Sequence, residues 1–262
     1  MKRNLARLLQ GFFIVLFSLF LAVQASGGMR ASSVSRLSPS MVRHVQEMLD
    51  AAVAEFKVPG AVLAIRDPKG ATRFWTSGMA NRETKQRMSR NLYFRIGSVT
   101  KSYTSTVVLQ LWDEGLLTLD DPIGKYLPGL VPQEEKITIR HLLEMRSGLG
   151  DYNNPQLVKL LEADPNRVLT PEELIRLANF MLGEPGGEFN YTNTNYFLLG
   201  MLIERVTNST FREQVQRRIL QPLGMFHTFV PPGIEMPAPY AHGYLYQDGK
   251  VVDGTSSLPQ WL

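Results

Sequence analysis

At 262 residues, with 44% apolar and 20% charged side chains, the chain can bury one sizeable core, as a single large domain or as two lobes. It contains no cysteine, which excludes a disulfide framework, a thiol nucleophile, thiolate zinc sites and a lipoprotein anchor. The formal net charge of +4 falls to +1 without the first 25 residues, and no Lys/Arg run remains to track a phosphate backbone, so nucleic acid is not an expected partner.

Residues 1–25 carry Lys2, Arg3 and Arg7 with no acid, then the apolar run Gly11 to Val23 and small residues, which is the pattern of a signal peptide cleaved after Ala25. The run is short for a spanning helix, so no stable membrane insertion is expected after cleavage, although retention as an anchor stays an alternative. A secreted or periplasmic location follows. Residues 26–37 are small and polar and form a linker, leaving 38–262 as the folded domain. From Ser40 the apolar positions Met41, Val45, Met48, Leu49, Ala52, Val53 and Phe56 keep a helical period, which predicts a helix with one buried face that ends before Pro59-Gly60. Two strands, Ala61 to Arg66 and Thr72 to Met79, flank the turn-forming Asp67-Pro68-Lys69-Gly70 and make an antiparallel hairpin.

The pattern then turns helical. Thr104, Val107, Val108, Leu111 and Trp112 share one face of a helix stopped by Gly115. Thr170-Pro171-Glu172-Glu173 opens a helix through Met181 with a cap, a first-turn proline and a capping-box glutamate. Further helices are expected from Asn195 to Val206 and, capped by Ser209, over Phe211, Val215 and Ile219, before a loop-rich end with Pro231, Pro232, Pro237 and Pro239. A two-stranded hairpin is marginal by itself and calls for further strands or a covering helix.

Ser98-Val99-Thr100-Lys101 places a hydroxyl and an amine three residues apart at the head of a helix, on one face. A serine hydroxyl becomes a nucleophile when a neighbour takes its proton, and a lysine does so once burial or nearby positive charge lowers its pKa. The helix N-terminus adds amide donors where negative charge develops. Taken alone the S-x-x-K spacing arises by chance about once in a chain of this length. A second element, Tyr191-Thr192-Asn193, follows the Gly/Pro turn Gly183 to Gly187; a phenol and an amide two residues apart can both face a cleft, one to move a proton and the other to bond a substrate amide. A second Y-x-N, Tyr152-Asn153-Asn154, ranks lower because its surroundings suit a surface loop. The histidines His44, His141, His227 and His242 are scattered and form no H-E-x-x-H pair, so neither a metal nor another cofactor is expected.

Six ordered blocks carry a resemblance: Phe94 to Lys101, Gly115 to Pro122, Ile137 to Leu143, Ser147-Gly148-Leu149, Phe189 to Asn193 and Leu220 to Met225. Over about residues 40–245 the chain resembles the class C β-lactamase and D,D-carboxypeptidase family. The resemblance implies an α/β fold of the β-lactamase/transpeptidase type, with a mixed-sheet lobe built partly from residues 40–80, a helical lobe from about 90 to 225, and Ser98 at their junction. It implies that Ser98 forms an acyl-enzyme, that Lys101 activates it, that Tyr191 is acid/base towards the leaving group, and that Asn193 positions Lys101 and the substrate amide. The base is left open between Lys101 and Tyr191.

The family's third element, Lys or His followed by any residue and Gly on a late strand, has no match after Asn193. His227, His242 and Lys250 do not begin it, and Ala241-His242-Gly243-Tyr244 looks like the loop before the late strands. The implied late strands, which complete the sheet and supply a second oxyanion donor and a cation for the substrate carboxylate, are therefore not expected in this chain. Losing one such donor costs roughly 3–4 kcal/mol in other enzymes. A truncated copy is the resulting expectation, with a domain completed by a partner subunit as the alternative. Met145-Arg146 departs from the smaller polar residues usual before Ser147-Gly148. The function so implied is acyl transfer to water, with a D-alanyl peptide of peptidoglycan or a β-lactam as substrate. An esterase with the same serine and lysine, and a binding-only relative that acylates slowly or not at all, are the competing readings. The oligomeric state is not legible.

Overall fold

The computed structural model describes residues 37–255, apart from 69, 165, 166, 168, 179, 232, 234 and 248. The expected signal peptide and nearly all of the expected linker lie outside the described residues. Helix α1, Pro39–Glu55, has the expected bounds to within a residue. Everything below belongs to the compact unit that begins at Leu49.

Strands β1, Gly60–Arg66, and β2, Thr72–Asn81, pair antiparallel from Gly60 opposite Gly78 to Arg66 opposite Thr72, as the hairpin signal predicts. The Ser77 hydroxyl donates to Asp50 Oδ1 at 2.6 Å, tying the hairpin to the last turns of α1. A third strand, β3, Gln86–Arg87, extends the sheet along β2. Two residues are too few to show an alternating pattern, so β3 has no signature in the sequence.

The helical region runs α2 (Thr100–Asp113), α3 (Ile139–Leu143), α4 (Pro155–Ala163), α5 (Pro171–Leu177), α6 (Asn193–Thr207) and α7 (Phe211–Val215), which continues into a π-helical turn, Gln216–Leu220. A smaller core cluster joins Tyr152, Leu157 of α4 and Leu174 of α5. In the larger cluster Val107 and Leu111 of α2, Ile123, Leu142 of α3, and Leu198 and Leu202 of α6 are all fully buried. These are the positions at which the apolar period of α2 and α6 points. Truncating any one to alanine removes roughly 2–5 kcal/mol, and more where the cavity cannot collapse.

Three helix bounds differ from the sequence expectation, each for a local reason. Helix α5 has its capping box, with Thr170 Oγ1 accepting from Glu173 N at 3.1 Å and Glu173 Oε2 from Thr170 N at 2.9 Å, but it stops at Leu177. The segment expected to finish it is diverted into pairing with residues 148–150: Leu182 N donates to Gly148 O at 2.7 Å and Gly150 N to Phe180 O at 2.9 Å. That approach needs glycine at 148, whose φ of +75° and contact with the Gly183 carbonyl leave no room for a Cβ. Helix α7 is capped by Thr210 and not Ser209; the Ser209 hydroxyl instead donates to the capping-box Glu213 at 2.7 Å. Helix α6 starts two residues early because Thr192 is its cap.

The end expected to be loop-rich contains a second sheet. Strands β4, Tyr244–Gln247, and β5, Lys250–Asp253, pair as an antiparallel hairpin that, among the described residues, is not hydrogen-bonded into the β1–β3 sheet. Tyr244, expected in the loop before the late strands, is the first residue of β4. His242 anchors the hairpin: its Nδ1 lies 2.5 Å from Asp253 Oδ2, Asn81 Nδ2 lies 2.8 Å from its Nε2, and its ring stacks near Tyr240 and Tyr244. Among the described residues no helix is long and apolar enough to cross a membrane.

Asp121 is the most strongly held carboxylate of the helical region. Its Oδ2 accepts from Tyr126 Oη at 2.5 Å, Lys125 Nζ at 2.9 Å and Thr118 N at 3.0 Å, and these bonds, Tyr126 first, hold its pKa far below the ordinary 3.8. A depressed carboxyl contributes stability that is complete above the unfolded pKa and is lost as pH falls towards the folded one. Asp121→Asn is therefore expected to destabilise the fold at pH 7 by about 1–2 kcal/mol. The gap from wild type should only begin to narrow below roughly pH 4 and keep narrowing as pH falls towards the folded-state value, as measured by urea unfolding at pH 7 and down the acid range.

Candidate active site

The chain enters the site through a positive φ. Gly97 sits at φ +48°, a conformation that favours glycine, and turns the backbone into a 3-10 turn over Gly97–Val99 that leads directly into α2. Ser98 thus lies in this turn, two residues ahead of the first residue of the helix at whose head it was expected. Residues three apart share a face across this turn and the start of α2, which brings Lys101 over Ser98. Lys101 Nζ donates to Ser98 Oγ at 3.2 Å.

The second element comes from the other side of the helical region. Thr192 caps α6 and also donates to Gly150 O at 3.0 Å, fixing Tyr191 just before the helix and Asn193 in its first turn. Tyr191 Oη lies 2.9 Å from Ser98 Oγ, and Lys101 Nζ donates to Asn193 Oδ1 at 2.8 Å. The four residues singled out in the sequence, Ser98, Lys101, Tyr191 and Asn193, therefore meet around one hydroxyl, across 93 residues of chain. The ammonium of Lys101 also stands 5.0 Å from the Tyr191 ring centroid and 5.8 Å from that of Tyr196, where ring faces attract a cation. Tyr196 is itself held, its hydroxyl donating to Leu143 O at 3.2 Å.

Ser98, Lys101 and Asn193 line a cavity of about 1270 Å³ that runs along the face of α6 past Phe197 and Met201. A largely apolar cavity with a few convergent polar groups is the usual form of a small-molecule site. Chemically, the arrangement offers a hydroxyl with two neighbours able to exchange its proton, and an amide that orders the cation among them.

The rival Tyr152-Asn153-Asn154 is not a surface loop. Tyr152 is buried, packs edge-on against Phe197 at 5.6 Å and has its phenol pushed up, chiefly by burial and then by the charge of Asp151. Asn154 caps α4, its Oδ1 accepting from Gln156 N at 2.9 Å. The pair thus serves packing and capping. His242 is likewise engaged with Asn81 and Asp253.

Two residues carry weight that the sequence did not reveal. Arg146 donates to Gly187 O at 2.6 Å and Gly186 O at 3.0 Å, clamping the glycine turn that delivers Tyr191. Asp151 accepts from both the backbone and the side chain of Asn193. Ser147 closes the same seam, donating to Asn195 Oδ1 at 2.6 Å.

The family model described as Beta-lactamase matches residues 45–261. The chain belongs to the Beta-lactamase family. It is 36% identical to the D-stereospecific amidohydrolase from Streptomyces sp., with a TM-score of 0.70 over 82% of this chain and 65% of that one. It is 32% identical to the D-amino acid amidase from Ochrobactrum anthropi SV3, solved with L-phenylalanine amide, with a TM-score of 0.72 over 83% and 63% of the two chains. Among curated relatives, Penicillin-binding protein 4* from Bacillus subtilis (strain 168) is 29% identical over 215 residues, which are 78% of this chain and 46% of that protein. This Beta-lactamase-family chain thus spans under two thirds of the length of these relatives. The mixed α/β architecture is that of the β-lactamase/transpeptidase-like structures it matches, and the family is one of serine hydrolases.

Proposed function

We propose that the protein is an exported serine hydrolase that cleaves amide or ester bonds through an acyl-enzyme at Ser98, acting on D-alanyl peptides or β-lactams. The observation that carries this reading is the position of Ser98 Oγ, 3.2 Å from Lys101 Nζ and 2.9 Å from Tyr191 Oη. In this mechanism Ser98 Oγ attacks the carbonyl carbon and its proton passes to Lys101 or Tyr191. Tyr191 then returns a proton to the departing nitrogen as the C–N bond breaks, and water hydrolyses the resulting ester by the reverse route. Asn193 orders Lys101 and offers its amide to the substrate. Export rests on residues 1–25, with 26–37 as linker and 38–262 as the catalytic domain. No cofactor enters the scheme.

The relatives support the D-configured amide class: by name one is a D-stereospecific amidohydrolase, one a D-amino acid amidase, and one is named for binding penicillin. A second reading is a relative that binds or is acylated without turning over. Turnover assays with a D-alanyl-D-alanine peptide, a chromogenic cephalosporin and a p-nitrophenyl ester separate the readings. Release of D-alanine or opening of the cephalosporin is the expected result. Turnover of the ester alone would assign an esterase, and acylation without turnover a binding protein.

A further inference from the structure

Asp151 lies in the loop between α3 and α4, half-buried, and uses both carboxylate oxygens at once. Oδ1 accepts from Asn153 N at 2.9 Å and closes the loop on itself. Oδ2 accepts from the Asn193 backbone N–H at 3.2 Å and from Asn193 Nδ2 at 3.1 Å. A side-chain amide has its donors on one side and its acceptor on the other. With the donor side of Asn193 taken by Asp151, the acceptor side must face Lys101, whose Nζ it receives at 2.8 Å.

We propose that Asp151 is a positioning residue for the reaction: it fixes the orientation of the Asn193 amide and, through it, holds the Lys101 side-chain nitrogen against Ser98. The inference rests on the Ser98–Lys101 reading above. Asparagine fills this place only in part, because it has one acceptor oxygen where the loop and Asn193 together use two. Burial raises the Asp151 carboxyl above its ordinary range, while the hydrogen bonds from Asn153 and Asn193 and the charge of Lys101 act in the opposite direction. A buried carboxylate is worth retaining where its partners need it ionised, and its partner here is the amide that orders the site. The titratable groups facing this centre are Lys101, Tyr152 and Tyr191.

The test follows acylation of Ser98 by a β-lactam, using intact mass against time for the full chain, its Asp151→Asn and Asp151→Ala variants, and Asn193→Ala with and without Asp151→Asn. Both Asp151 variants are expected to acylate roughly 10- to 100-fold more slowly than wild type. The acid limb of their rate profile, between about pH 5 and pH 9, should move to lower pH, since a negative charge beside the proton acceptor is gone. In the Asn193→Ala background, Asp151→Asn should add less than about twofold. Wild-type rates in Asp151→Asn, or a slower rate with an unmoved pH profile and an effect that multiplies with Asn193→Ala, would overturn the inference. A wild-type chain that is not acylated at Ser98 fails the nucleophile reading itself, which distinguishes the two failures.

Discussion

Ser98→Ala is expected to lower acylation and turnover by roughly 10⁴- to 10⁶-fold, to the background of the buffer. The change deletes the atom that forms the bond, and it removes the shared partner of Lys101 and Tyr191. It should leave the fold intact, because the Ser98 side chain is exposed and outside the core; exposed substitutions of this kind stay within about 0.5 kcal/mol. A thermal melt alongside the kinetic assay checks both halves. Loss of activity with an unchanged melt is the predicted outcome, whereas a variant retaining a tenth of wild-type turnover would place the nucleophile elsewhere.

Lys101→Met and Tyr191→Phe are expected to cost about 10²- to 10⁴-fold each, the range for a positioned acid or base. They should differ in which substrates they impair. A departing amine must receive a proton, while p-nitrophenolate leaves without one. If Tyr191 supplies that proton, Tyr191→Phe slows an amide far more than an activated ester, and Lys101→Met slows both alike. Comparing kcat/KM for the two substrates in each variant decides the matter. Equal losses on both substrates in Tyr191→Phe would instead make Tyr191 the base that activates Ser98.

How much of this was legible in the sequence follows the range of the interactions. Helix α1, the β1–β2 hairpin and helix α2 are written in local periodicity, and the structure keeps the elements. It corrects two of their faces, because Trp112, expected inward on α2, is exposed, as are Met41, Met48 and Phe56 of the face expected to be buried on α1. The spacing within Ser98–Lys101 and within Tyr191–Asn193 is local too. Their convergence across 93 residues is not, and only the ordered family blocks anticipated it. Asp151 was hidden for the same reason: its hydrogen bonds to Asn193 span 42 residues, and a run of Gly, Asp and Asn reads locally as a solvated loop. Tyr152 misled in that setting, since its burial depends on Phe197 of a distant helix. The β4–β5 hairpin did carry a local signal, Asp248-Gly249 between Tyr244-Leu245-Tyr246 and Val251-Val252, a strong hairpin dipeptide obscured by the prolines just before it.

Whether Ser98 is an acylated nucleophile is decided by peptide mapping. The folded chain is incubated with a β-lactam, digested, and the mass-shifted peptide sequenced by fragmentation. A single adduct on the Ser98 hydroxyl, absent from Ser98→Ala, is the result the geometry of Lys101 and Tyr191 predicts. An adduct on another residue, or no adduct with a folded protein and either a β-lactam or an activated ester, would contradict it.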